Sequence, residues 1–129
     1  MPFNHISIYV SDLNASLKFY LSALTPLEYE IFKKFDKIIG LNAKGCSPDF
    51  WIAQTCDDEG NKKPLSRCHI AFDATNNGQV DEFYDAAIKA GAICNGPPGY
   101  RPQYTNGYYA AFVKDPDGNN VECIHFEMK

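Results

Sequence analysis

The chain says the same thing twice. His5-Ile6 and His69-Ile70, Phe19-Tyr20 and Phe83-Tyr84, and Ala23 and Ala87 are five identical pairs at a single offset of 64 residues. One such identity would mean little. Five at one spacing mark two copies of one supersecondary unit, and that limits the fold to architectures built from two like halves. At 129 residues the two copies together make about one domain. With 45% hydrophobic and 22% charged residues the chain has ordinary globular composition, which excludes intrinsic disorder.

Each copy opens with a strand followed by a helix. Phe3 to Val10 is rich in Ile, Tyr and Val, and Cys68 to Asp73 is its counterpart. Asp12 is placed to cap the first helix, because its carboxylate can accept from an unpaired first-turn N–H. Leu13, Leu17, Tyr20, Leu21 and Leu24 then recur at helical spacing, and Pro26 stops the run. In the second copy Asn76 or Asn77 is the cap. Val80, Phe83, Tyr84, Ala87 and Ile88 form the stripe, and Gly91 supplies a left-handed C-terminal position.

Three strand-like runs follow each helix. They are residues 29–34, 37–42 and 49–54 in the first copy, with a tight turn at Phe35-Asp36, and residues 92–95, 108–114 and 119–127 in the second. Asp115-Pro116-Asp117-Gly118 is a turn in which Pro fixes φ and Gly permits positive φ, so it joins the last two strands as a hairpin. Each module is therefore βαβββ. Module 1 spans about residues 1–56, a polar linker 57–66, and module 2 about 67–129. The expected fold is α+β, with two tandem βαβββ modules forming a cupped mixed sheet with the helices outside, and with a pocket between the sheets.

Charge and cysteine usage exclude several classes. The formal net charge is −4 and the basic residues are scattered, so the chain lacks the basic footprint of a nucleic-acid binder. No run approaches the length of a membrane span, and residues 1–10 have no basic segment of the kind that begins a secretory leader. Five dispersed Cys without a CxxC read as reduced thiols in a cytoplasmic protein, each a small buried hydrophobe. Alternation points Cys68 and Cys123 away from the face that carries His69 and Glu122.

The residues with chemistry are His5, His69 and Glu122. The two His hold equivalent places on the two first strands, and Glu122 lies on the last strand just after the Asp-Pro-Asp-Gly turn. Two imidazoles and one carboxylate are the set that holds Fe(II) with open positions, and the set also suits Mn, Zn, Ni or Co. The alternative for each His is a structural one. Glu122 sits among Val121, Cys123 and Ile124, and a Glu so placed needs a partner: a metal, a His or an Arg. His125 faces away by alternation, and Asp115 and Asp117 read as turn residues.

The phrases His5-Ile-Ser-Ile-Tyr-Val-Ser-Asp-Leu, Arg67-Cys-His69-Ile-Ala-Phe and Asp115-Pro-Asp-Gly-Asn-Asn-Val-Glu122 resemble the vicinal oxygen chelate superfamily. That group contains glyoxalase I, the bleomycin-resistance proteins and the extradiol dioxygenases. The resemblance covers essentially the whole chain and implies a divalent metal (Fe, Mn, Zn, Ni or Co) and a homodimer. In metal-dependent members, ligands come from the first, fifth and eighth strands, the places of His5, His69 and Glu122. Glyoxalase I adds a Glu on the fourth strand. Here that place holds Trp51, with Gln54 the nearest polar replacement, so the resemblance is closer to the dioxygenase ligand set. The chain nevertheless lacks the two-domain form and the acid/base His of the best-known dioxygenases.

The segment from Pro97 to Tyr109 is long for a connection and rich in aromatics, as functional lids are. Its Arg101 offers a planar fork to a substrate carboxylate or phosphate, and Tyr100, Tyr104 and Tyr108 offer hydroxyls and rings. The bland reading is a surface loop whose tyrosines pack over the sheet edge. Trp51 is read first as a core side chain and second as a pocket wall. Two functions compete. One is a metal-dependent small-molecule enzyme of lyase, isomerase or dioxygenase type. The other is a metal-free protein that sequesters a small ligand, as bleomycin-resistance proteins do.

Overall fold

The computed structural model describes residues 2–56, 64–65 and 67–127. The element order is β1 (Ile6–Val10), α1 (Leu13–Ala23), a 3-10 turn (Thr25–Leu27), β2 (Tyr29–Lys34), β3 (Ile38–Ala43), β4 (Phe50–Gln54), β5 (His69–Asp73), α2 (Asn77–Lys89), β6 (Ile93–Tyr100), β7 (Tyr108–Lys114) and β8 (Asn120–Phe126). The α+β class and the repeated βαβββ unit read from the sequence are both present. The linker falls largely outside the described residues.

Each module makes one four-stranded sheet, in the orders β1-β4-β3-β2 and β5-β8-β7-β6. The helix carries the chain across its sheet, so each first strand lies parallel to the last strand of its module. Both helices start where a side chain can satisfy the first turn. Asp12 accepts from Ala15 N at 3.1 Å and Asn76 from Gln79 N at 2.9 Å. Helix α1 stops at Ala23, and Pro26 opens the 3-10 turn instead.

Alternation gives each sheet two faces. Ile8 and Val10 of β1 are buried while Ser7 and Tyr9 are exposed, and Ile70 and Phe72 of β5 are buried between exposed His69, Ala71 and Asp73. The inner faces share one core. Tyr20 of α1 meets Phe50 of β4 edge-on at 4.9 Å, and Phe50 meets Phe72 of the second module at 5.5 Å. The helices lie against each other, and the core cluster continues through Val80 and Phe83 of α2 to Val113, Val121 and Cys123. Ile88, expected in the α2 stripe, is 37% exposed because the face that meets the core is narrow, carrying Val80, Phe83 and Ala87.

Polar links tie the modules together, among them a bond from Gln79 Nε2 to Pro26 O at 3.2 Å and two at the β7–β8 turn. The Tyr20 hydroxyl donates to Asp115, which also accepts from the backbone and side chain of Asn119. Ser11 donates through its hydroxyl to Asp117 at 2.5 Å and through its backbone N–H at 3.2 Å. Asp115 and Asp117 therefore shape their turn, as expected, and also clasp it to the other half. Of the cysteines, Cys123 is buried while Cys46 and Cys94 are exposed, so the buried-hydrophobe reading fails for those two. Among the described residues no helix is long and apolar enough to cross a membrane.

The segment read as a lid from Pro97 to Tyr109 is shorter than the sequence implies. Strand β6 runs through Pro97 and Pro98 to Tyr100. Proline removes a ladder donor, but β6 is the edge strand and its register shifts twice, between Cys94 and Gly96 and between Gly96 and Gly99. Edge strands and bulges are where a sheet accepts proline.

Candidate metal and ligand site

The outer face of the second sheet carries two of the three candidate residues, His69 and Glu122. Glu122 on β8 stands between Ala71 of β5 and Phe112 of β7 in the register. It is almost fully buried, yet no Lys or Arg of the described residues pairs with it. Its partners are His69 and Tyr108. His69 Nε2 lies 2.9 Å from Glu122 Oε1, and the Tyr108 hydroxyl donates to Oε2 at 2.5 Å. Sequence reasoning named a His among the possible partners and missed the tyrosine. Burial and then the bonded, charged Glu122 hold the Tyr108 phenol well above its ordinary pKa, so it remains a donor.

His69 is fixed from its other side. Its Nδ1 faces the carbonyl oxygen of Asn120 at 3.2 Å. A carbonyl only accepts, so Nδ1 carries a hydrogen toward it, and Nε2 is the ring nitrogen that faces Glu122. That is the second-sphere arrangement that prepares a His as a metal ligand. For metal–ligand bonds of about 2.1 Å, two neighbouring ligands of an octahedral ion stand about 3.0 Å apart, close to the Nε2–Oε1 separation observed. The pair fits a divalent ion. The same spacing also serves a direct hydrogen bond.

His5 does not join them. Among the described residues no three His, Cys, Asp or Glu side chains converge as a metal cluster. His5 is exposed just ahead of β1, with Nδ1 2.6 Å from Asn4 Oδ1 and its ring edge-on to Trp51 at 6.4 Å. Trp51 is half-buried on the outer face of the first sheet beside Phe32, so it is a wall of that face and not a core side chain. Gln54 is committed elsewhere. Its Oε1 accepts from Leu13 N at 3.0 Å and its Nε2 donates to Ser11 O at 2.9 Å, which closes the start of α1.

Of the remaining candidates, Tyr104 is exposed and edge-on to Tyr108 at 5.2 Å. Arg101 donates from Nη1 to Gly99 O at 2.9 Å and from Nη2 to Pro97 O at 2.7 Å, with its guanidinium 5.3 Å from the centre of the Phe112 ring. Phe112 was not picked out from the sequence, although it shares the parity of Tyr108 on β7. His125 bonds Asn77 at 2.8 Å, the structural role expected of it. Between the modules lies a cavity of about 680 Å³ lined by Ile6, Tyr29 and Asp49 of one and Ile70, Phe72 and Asp73 of the other. None of His5, His69 and Glu122 lines it.

Residues 3–123 match the model of the Glyoxalase/Bleomycin resistance protein/Dioxygenase superfamily. The chain belongs to that superfamily. A relative, the uncharacterized protein YqjT of Bacillus subtilis (strain 168), is 30% identical over 94% of this chain and 96% of its own. Among solved structures, a glyoxalase/bleomycin resistance protein from Albidiferax ferrireducens T118 shares 28% identity over 97% of this chain and 98% of that one, with a TM-score of 0.75. A lactoylglutathione lyase from Agrobacterium tumefaciens is 19% identical over 95% and 91%, with a TM-score of 0.69, a likeness of fold. Superfamily membership accounts for the paired βαβββ modules and leaves the chemistry to the site.

Proposed function

We propose that the protein is a divalent-metal-dependent small-molecule enzyme of the superfamily, and that its site is completed by a second copy of the chain. The observation that carries this reading is the His69–Glu122 pair, with Nδ1 tied to a carbonyl and the second carboxylate oxygen held by Tyr108. The pair offers two donors. The third, His5, stands exposed on the outer face of the other module. A symmetric pair of chains presenting the first sheet of one to the second sheet of the other would supply it twice over. A divalent ion there provides a Lewis acid for adjacent oxygen atoms of a small substrate, of the kind lyases, isomerases and dioxygenases handle. Trp51, Tyr104 and Tyr108 supply aromatic surface around it, and the Tyr108 hydroxyl keeps Glu122 turned toward His69.

The test is metal content by mass spectrometry, with subunit mixing. The wild-type chain should bind metal, and His5→Ala and His69→Ala should each lose it. Refolded together in equal amounts, the two variants should recover about a quarter of the wild-type metal, because half the pairs are mixed and each mixed pair holds one intact site. A mixture as empty as its parents refutes the shared site.

One observation favours a second reading. His69 and Glu122 already satisfy each other within one chain at 2.9 Å, so the face is complete without an ion. On that reading it binds a flat small ligand against Phe112 and the tyrosines. A wild-type chain that takes up no metal on reconstitution, yet is stabilised by a small aromatic ligand, supports it.

A further inference from the structure

Arg101 is not poised as a free fork. Three layers lie in a column on the outer face of the second sheet. The His69 imidazole stacks on Phe112 with centroids 6.2 Å apart and planes 21° from parallel. The Arg101 guanidinium covers Phe112 at 5.3 Å. Behind the guanidinium the β6 backbone supplies the carbonyls of Pro97 and Gly99. The local sequence is shaped around this column. A Cβ at Gly96 would stand 3.0 Å from Phe112 Cδ1 and 3.2 Å from Arg101 Nη2, and one at Gly99 would stand 3.2 Å from Arg101 Nη1. The two register shifts of β6 fall at these glycines, and they turn the strand's carbonyls toward the cation.

We propose that Arg101 is a positioning residue: braced by the β6 backbone, its guanidinium holds Phe112 flat against His69 and so fixes the imidazole that faces Glu122. A planar cation with two carbonyl bonds suits this task, because it stacks on a ring and is itself held from behind. Lysine keeps the charge and loses the plane. The claim rests on the reading of His69 and Glu122 as the working pair. It goes beyond that reading by giving Arg101 a target inside the protein.

The experiment reads the metal-free full-length chain by nuclear magnetic resonance with labelled histidine, assigning His69 through His69→Gln. Phe112→Leu should move the His69 ring signals by removing the ring current, and Phe112→Tyr should retain them. Arg101→Lys and Arg101→Gln should shift and broaden them, with His5 and His125 unmoved. Zn(II) affinity, measured against a chromophoric chelator, should fall about tenfold or more in both Arg101 variants, the usual effect of losing an outer-sphere support. If either Arg101 variant fails to fold, Gly99→Ala displaces the guanidinium without removing a polar group and should shift the same signals. His69 signals unchanged in Arg101→Lys or in Gly99→Ala would overturn the proposal. The expected shifts in the variants, together with a wild-type chain that takes up no Zn(II), would leave the column standing and remove the metal reading instead.

Discussion

Replacing Tyr20 by phenylalanine removes one oxygen from a fully buried side chain and leaves its ring contacts with Phe19 and Phe50 in place. The lost bond is the one from α1 to Asp115 at the β7–β8 turn, which joins the two modules. Asp115 is not left bare. It keeps donors from Asp117 N at 3.0 Å, Asn119 N at 2.8 Å and Asn119 Nδ2 at 2.8 Å. The cost is therefore that of one hydrogen bond to a charged group, about 2 kcal/mol. For a chain of this size that corresponds to a fall in Tm of roughly 6–10 °C. Differential scanning calorimetry at pH 7 measures it. Burial first, and then Asp115, raise the Tyr20 pKa well above its ordinary value. The unfolded chain ionises this phenol near pH 10 and the folded chain resists. The stability tied to Tyr20 is thus fully present below about pH 10 and is lost as the pH climbs above it. Tyr20→Phe should be less stable at pH 7 and should lose stability less steeply above pH 10 than the wild type. A Tm within 1 °C of wild type, against the roughly 6–10 °C expected, would refute the reasoning.

Gly40→Ala places a Cβ 2.6–2.8 Å from three carbons of the Trp51 indole, so the ring must move. Since Trp51 is the one tryptophan, its emission spectrum should shift, and overpacking should cost about 1 kcal/mol by urea denaturation. An unchanged spectrum would place the indole elsewhere. Burial pushes the Cys123 thiol up to about 12. At pH 8 a thiol reagent should modify exposed Cys46 and Cys94 in the native chain and reach Cys123 only on unfolding, read by peptide mass spectrometry. Asp12→Ala and Asn76→Ala should each cost about 1 kcal/mol through lost caps, measured by urea denaturation. Their effects should add, because the caps lie on different helices.

The repeat was legible because identical residues hold identical places in the two modules. The caps were legible because Asp12 and Asn76 act within three residues of themselves. Hydrophobic alternation likewise placed β1, β5 and β8 and put His69 and Glu122 on one face. What escaped is tertiary. Gln54 caps a helix 41 residues earlier in the chain, and nothing local marks that role. The prolines of β6 read as loop because the sequence does not say which strand will lie at the edge. The separation of His5 from the other two donors depends on how the modules dock, and docking is set by the shared core of Tyr20, Phe50 and Phe72. Strand periodicity fixes which face a residue occupies, not which other face it meets.

The prolines of β6 also bear on how the molecule meets its own kind. An edge strand is an open template for another chain, and templates of this sort seed aggregates. On β6 two donors are missing and two bulges break the spacing, so an incoming strand finds no continuous ladder there. The matching edge of the first sheet, β2, has no proline and shows Ile31 and Phe32 to solvent, with Glu30, Lys33 and Lys34 as its charges. The two halves share a plan but not a vulnerability. One edge is closed to strand addition by missing donors and two bulges, and the other by a single bulge and its charges, a defence whose electrostatic part weakens as salt rises.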